Sequence, residues 1–147
     1  MPSLKFPLAV VAVLASWALA QTAAAPVVRS ASAIDWKASG SLPPGAEYHL
    51  VYEDSKTHAV QTLVRFPRGY GLTPHSHTAD ETIVMLKGKL VIEIAGKESE
   101  TLAAGGYAMI PGGTVFSLKA AGFGGAEFLA AFNGPFDMKD AAPAPKP

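Results

Sequence analysis

Residues 69–94 read GYGLTPHSHTADETIVMLKGKLVIEI, and the fold turns on how this stretch is parsed. Glu81–Leu86 (ETIVML) and Lys89–Ile94 (KLVIEI) are dense in β-branched side chains, which suit a pleated, half-buried surface. Between them Lys87-Gly88 is short enough to predict a tight hairpin joining two strands. Along the first strand Glu81 shares a face with Ile83 and Met85, while Thr82, Val84 and Leu86 occupy the other. A strand apolar on both faces is usually covered twice. That predicts an N-terminal strand or a second copy of the chain over the outer face, and hence a homodimer.

Working outward, the same composition recurs at Glu47–Glu53 (EYHLVYE), Val60–Phe66 (VQTLVRF), Tyr107–Ile110, Thr114–Leu118 and Glu127–Phe132. Turn signals separate these runs, among them Pro43-Pro44-Gly45, Pro67-Arg68-Gly69, Ala95-Gly96-Lys97, Gly105-Gly106 and Pro111-Gly112-Gly113. No long stretch beyond the N-terminal segment shows a helical period. Many short strands at regular spacing predict an all-β sandwich or barrel with little helix. Val60, Thr62, Val64 and Phe66 alternate with Gln61, Leu63 and Arg65, and the first set suits a barrel interior. Trp36 is expected over one barrel end, with Glu93 and Glu127 facing solvent.

At 147 residues and 49% hydrophobic the chain is one small domain able to bury a core. Twelve basic residues balance twelve acidic ones, which argues against nucleic acid as a partner. The absence of cysteine excludes disulfides, thiolate catalysis and cysteine-based zinc sites. Phe6–Ala20 (FPLAVVAVLASWALA) carries no charge, follows Lys5 and ends on Ala18-Leu19-Ala20, a small-x-small cleavage pattern. Residues 1–20 are therefore expected to be a signal peptide, placing the protein in the periplasm or outside the cell. The run is short for a membrane span of about 20 residues, so no membrane association is expected after cleavage. Without a cysteine the mature chain cannot be a lipoprotein. Loss of Lys5 leaves eleven basic against twelve acidic groups, net −1. The expected organisation is a flexible spacer at 21–33, a β-barrel at 34–138 and a disordered Ala/Pro tail at 139–147, ending AAPAPKP.

The chemistry concentrates within Gly69–Gly88. His75 and His77 stand two apart, so on an extended strand both imidazoles project from one face. Thr78-Ala79-Asp80 can bend the chain and bring Glu81 back toward them. Two neutral imidazoles and a carboxylate suit Fe(II), Mn(II), Zn(II), Ni(II) or Cu(II), and three protein ligands leave open positions for water or substrate. An H-x-H pair alone is also common among ordinary histidines. His49, in an early strand, and His58, in the polar loop after Asp54, read as surface or edge residues. Met85 reads as core filling that lines the cavity.

These residues carry a family resemblance. Gly69, His75, His77, Glu81 and Gly88 fill every fixed position of a motif that resembles the first signature of the cupins, G-x5-H-x-H-x3–4-E-x6-G. Gly105, Pro111 and Gly113 resemble the second, G-x5-P-x-G-x2-H-x3-N. The chain is most similar to small exported single-domain bacterial cupins that open with a segment like Leu42–Glu47. The resemblance implies a jelly-roll β-barrel of double Greek-key type, with His75, His77 and Glu81 as metal ligands. It also exposes a departure, because Phe116 stands at the usual third-histidine position and Ala120 at the usual asparagine. Phenylalanine cannot coordinate a metal and would set an apolar ring against the site, lining the pocket with Met85.

Two functions remain open on these grounds. One is a metal-dependent enzyme, dioxygenase-like or isomerase/lyase-like, acting on a small organic molecule. The other is a non-catalytic module that binds a metal or small ligand at a degenerate site. No general acid or base is placed near the histidines by any motif. A cavity of about 300 Å³ or more would suit the enzyme.

Overall fold

Two long strands organise the chain. β5 (Glu81–Ile94) and β8 (Phe116–Phe132) pair antiparallel along their lengths, from Glu81 opposite Phe132 to Ile94 opposite Phe116. The structure, a computed structural model, describes residues 25–142. The signal peptide expected at 1–20 and the residues from 143 onward lie outside those described. The other strands are β1 (Lys37–Ala38), β2 (Glu47–Glu53), β3 (Val60–Phe66), β4 (Gly71–Ser76), β6 (Glu100–Ala103), β7 (Tyr107–Ile110) and β9 (Lys139–Asp140). Among the described residues the only helix is a 3-10 turn at Ala31–Ala33, within the expected spacer.

All pairings are antiparallel, and the long strands divide their partners between two leaves. The Glu127–Phe132 half of β8 pairs with β3, which carries β2 and β1, while the Glu81–Val84 part of β5 pairs with β7. The opposite half of β8 pairs with β4, which carries β9, and the Lys89–Ile92 part of β5 pairs with β6. The sheet thereby curls over on itself as a jelly roll, the all-β fold expected from the sequence. Phe66, Ile83, Met85, Leu90, Phe116 and Phe128 fill the space between the leaves, each at most 2% exposed.

The hairpin expected at Lys87-Gly88 is absent. Glu81–Ile94 is one bent strand, because both arms pair with the same partner, β8, rather than with each other. Both primed two-residue turns need a positive φ at the first turn residue, which here would be Lys87. Gly88 alone of the pair has one, at +74°, and it marks a bulge where Gly88 faces Ala126 and Lys89 faces Ala121. A Cβ on Gly88 would stand 2.0 Å from the Gly125 carbonyl oxygen, and one on Gly125 would stand 2.1 Å from that of Phe66. Glycine at both positions lets three backbones meet where the long strands pass from one leaf to the other. The runs at Thr114–Leu118 and Glu127–Phe132 likewise belong largely to the single strand β8.

The disorder expected from 139 does not hold for the first residues of that segment. Lys139 and Asp140 pair with Ser76 and His75, and the Ala141 amide donates to the Pro74 carbonyl at 2.9 Å. Those bonds satisfy an edge of β4 that would otherwise be open. At the other end Trp36 lies under the Arg65 guanidinium, 3.9 Å from its ring centre. Arg65 bridges Glu47 and Glu127 at 3.5 and 3.7 Å, and the Glu127 side chain is only 15% exposed, contrary to expectation, whereas Glu93 faces solvent as expected.

Candidate metal and ligand site

His75 lies on β4, His77 follows it, and Glu81 opens β5, so the bend between these strands sets the site. Asp80 holds that bend. Its carboxylate accepts from the Gly112 amide and from Asn133 Nδ2, both at 2.8 Å, while Asn133 Oδ1 accepts from the Asp80 amide at 3.0 Å. The Gly113 amide donates to the His77 carbonyl at 2.8 Å. A Cβ on Gly112 would stand 2.3 Å from the Thr78 carbonyl oxygen. The Pro111-Gly112-Gly113 turn therefore seats directly on the histidine bend, which is the physical reason these two sequence blocks occur together.

The three expected ligands come together as buried polar side chains in an apolar core. His75, His77 and Glu81 are 1, 6 and 4% exposed. The two imidazole centres are 5.0 Å apart, and His77 Nε2 lies 3.3 Å from Glu81 Oε2. His75 Nδ1 donates to the Thr73 carbonyl at 2.8 Å, and His77 Nδ1 donates to the Asp137 carbonyl. Each imidazole thus spends its Nδ1–H on backbone, and in the neutral ring Nε2 is left as a bare lone pair. His75 Nε2 has no hydrogen-bond partner, and Glu81 Oε2 has only the His77 Nε2 contact, one that needs a proton between the two atoms; unpaired buried polar atoms are costly.

Burial pushes the His75 pKa down, favouring the neutral imidazole that a metal requires. Burial also disfavours a charged His77, but the Glu81 carboxylate and the Asp137 carbonyl outweigh it and raise its pKa. A proton therefore competes for the space between His77 and Glu81. The donor types and their orphaned atoms fit a first-row divalent metal. Among the described residues, however, no three His, Cys, Asp or Glu side chains are arranged as they stand to hold one.

Phe116 and Met85 do not line the cavity, contrary to expectation. Both are 1% exposed and packed in the core. Inward-facing Phe116 lies behind the histidines, its ring centre 4.4 Å from that of His75 and 5.6 Å from that of His77. The cavity itself has a volume of about 250 Å³ and reaches the three polar residues past Phe132, Phe136 and Met138. Val60, Thr62, Val64 and Phe66, the alternating set of β3, form one wall as expected. His49 and His58 lie apart from the site, bonded to the Asp35 carbonyl and to Glu53 respectively, each at 3.0 Å.

Sequence reasoning missed the strap at Phe136–Ala141. Phe136 packs on His77 at 5.5 Å and on Phe132 at 5.2 Å. The Asp137 carboxylate accepts from the Thr78 amide at 2.7 Å and from the Thr78 hydroxyl, while Lys139 Nζ donates to that hydroxyl at 2.7 Å. These bonds hold the Asp137 carbonyl over His77. No spacing rule links Asp137 to a histidine sixty residues earlier.

Residues 24–136 match the ChrR cupin-like domain family. This chain belongs to that family. Solved structures similar to this cupin confirm the fold. KdgF from Halomonas sp. superposes with a TM-score of 0.64 at 22% identity, covering 77% of this chain and 97% of its own. The polyketide cyclase RemF from Streptomyces resistomycificus gives 0.67 at 15% identity, covering 82 and 88%. The DMSP lyase DddQ from Ruegeria pomeroyi gives 0.58 at 18% identity, covering 70 and 57%. No curated protein sequence matches this cupin.

Proposed function

We propose that this cupin is an exported protein that binds a divalent transition metal (Fe, Mn, Zn, Ni or Cu) through His75 Nε2, His77 Nε2 and Glu81. In this reading it acts as a metal-dependent enzyme on a small organic molecule. The carrying observation is the anchoring of both imidazoles through Nδ1, which leaves His75 Nε2 buried and unpartnered and turns His77 Nε2 toward Glu81 Oε2 at an apolar cavity. A neutral imidazole held through one nitrogen is the usual preparation of a metal-ligating histidine. When bound, the ion supplies a Lewis acid with open coordination positions. The protein's own residues exclude water with Phe132 and Phe136, orient the ligand on the Val60–Phe66 wall and hold a proton between His77 and Glu81 when metal is absent. That a lyase and a cyclase share the fold supports an enzymatic role.

A cavity of about 250 Å³ sits just under the usual size for a drug-like ligand, so the substrate is small. The reading includes pairing of two copies through the outer face, where Leu86, Tyr107 and Met109 are 43, 72 and 59% exposed. Light scattering tests that pairing. The non-catalytic alternative rests on the open arrangement of the three side chains and on Phe116 in place of a further ligand.

Elemental mass spectrometry of mature, untagged protein beside a His75→Ala/His77→Ala variant tests the site. Near-stoichiometric metal that is lost in the variant is the expected result. No metal in either protein after reconstitution with Fe(II), Mn(II), Zn(II) and Ni(II) would overturn the reading.

A further inference from the structure

The cavity has a second polar end. On β2 the inward side chains begin by alternation, Tyr48 and then Leu50, and continued alternation would bring Tyr52 inward and leave Glu53 in solvent. The register shifts between Leu50 and Tyr52, after which Tyr52 faces Gln61 and Glu53 faces Val60. This bulge reverses the phase of the strand, so that Glu53 borders the cavity and Tyr52 does not. Bulges beside sites commonly re-aim one side chain in this way.

Pairing then sets Glu53 opposite the buried polar trio. Glu53 faces Val60, Val60 faces Phe132 and Phe132 faces Glu81, one cross-strand row whose members all border the cavity. Three strand spacings separate the two carboxylates, about 14 Å along the sheet and less across its curl. Between them the wall is apolar.

The Asp54–His58 turn holds Glu53 in place. Asp54 accepts from the amides of Lys56 and Thr57 at 2.9 and 2.7 Å. The His58 amide returns to the Asp54 carbonyl at 2.9 Å with φ +56°, the only positive φ outside glycine among the described residues. That left-handed backbone sets His58 Nδ1 at 3.0 Å from Glu53 Oε1 and leaves Oε2 free. The Glu53 side chain is 47% exposed, as expected of a group at a cavity mouth.

We propose that Glu53 is a specificity-determining residue, and that the ligand class is a short amphipathic molecule. Its anionic or carbonyl head meets the His75, His77 and Glu81 end, its apolar body lies on Val60 and Phe132, and its ammonium or hydroxyl group donates to Glu53. The inference rests on the metal-site reading above for the head and on Glu53 for the tail.

Calorimetric titration of zinc-loaded protein with hexanoate, 6-aminohexanoate and 4-aminobutanoate separates the two. The wild type is expected to bind 6-aminohexanoate about five-fold more tightly than hexanoate, the scale of one half-exposed ion pair. Glu53→Gln is expected to bring the affinity ratio of the two six-carbon probes to about one, and 4-aminobutanoate, two methylenes shorter, is expected to gain less from Glu53 than 6-aminohexanoate does. Equal affinity for the two six-carbon probes in the wild type, a preference that survives Glu53→Gln, or binding of neither probe overturns the assignment. Loss of hexanoate binding in the His75→Ala/His77→Ala variant reports separately on the metal-site reading.

Discussion

Phe116→His is the substitution that interrogates the site most directly. Phe116 is 1% exposed, points inward and lies 4.4 Å from the His75 ring centre, so a histidine there would present an imidazole beside the two already present. Without metal that imidazole exchanges an apolar ring for a buried donor and acceptor, and even where its N–H reaches the unpartnered His75 Nε2 its second nitrogen has no protein partner in place. Leaving such groups unpaired costs about 1–3 kcal/mol. For a domain of roughly this size each kcal/mol moves Tm by about 4 °C, so the metal-free variant should melt about 4–12 °C below wild type.

Metal should reverse the sign. A further nitrogen ligand is expected to tighten binding by at least about tenfold, a scale taken from the loss caused by weaker perturbations around metal ligands. At a fixed excess of metal, tenfold is about 1.4 kcal/mol, and the metal-induced rise in Tm should exceed that of wild type by about 5 °C or more. Phe116→Leu serves as the control, since it removes the ring without adding a ligand, and should lose stability with no larger metal response. Differential scanning calorimetry with and without zinc measures each quantity. A Phe116→His protein as stable as wild type without metal, and with the same metal-induced shift, would refute the placement of this ring against the histidines.

Asp137→Ala should release the strap from Thr78, lower Tm and let His77 populate the Nε2–H tautomer, which imidazole nitrogen-15 NMR detects; a single unchanged Nδ1–H tautomer would show that the Asp137 carboxylate does not hold the carbonyl in place. Gly125→Ala forces a side chain into φ +75° and to within 2.1 Å of the Phe66 carbonyl oxygen, so it should cost about 4 kcal/mol or more, readable by chemical denaturation. The turn that carries His58 should be acid-labile. Hydrogen bonds from the Thr57 and Lys56 amides, with the Thr57 hydroxyl, lower the Asp54 pKa from 3.8 to about 2. A depressed folded pKa means that its contribution is full above 3.8 and is lost as pH falls toward 2. Amide protection factors at Lys56 and Thr57, which remove the intrinsic pH dependence of exchange, should therefore fall across that interval and remain flat above it.

Residue pattern by itself determined the all-β class, the inward set Val60, Thr62, Val64 and Phe66, and the placement of His75, His77 and Glu81 in one region. Those features depend on alternation and on short-range spacing, which the linear chain contains. Three other features depended on which strand lies beside which. Lys87-Gly88 resembles a hairpin turn until β8 is known to run beside both arms, and then it is a bulge in one strand. Alternation from Tyr48 and Leu50 points Tyr52 inward until the register of β2 on β3 shows a bulge that turns Glu53 in instead. Asp137 has no relation to His77 until β9 docks on β4 and carries a backbone carbonyl over the imidazole. Backbone pairing between distant segments sets register, and register sets the direction of every side chain after a bulge. The chemistry of the histidine end was therefore legible along the chain, whereas the far end of the cavity and the strap over His77 exist only once the sheet has closed.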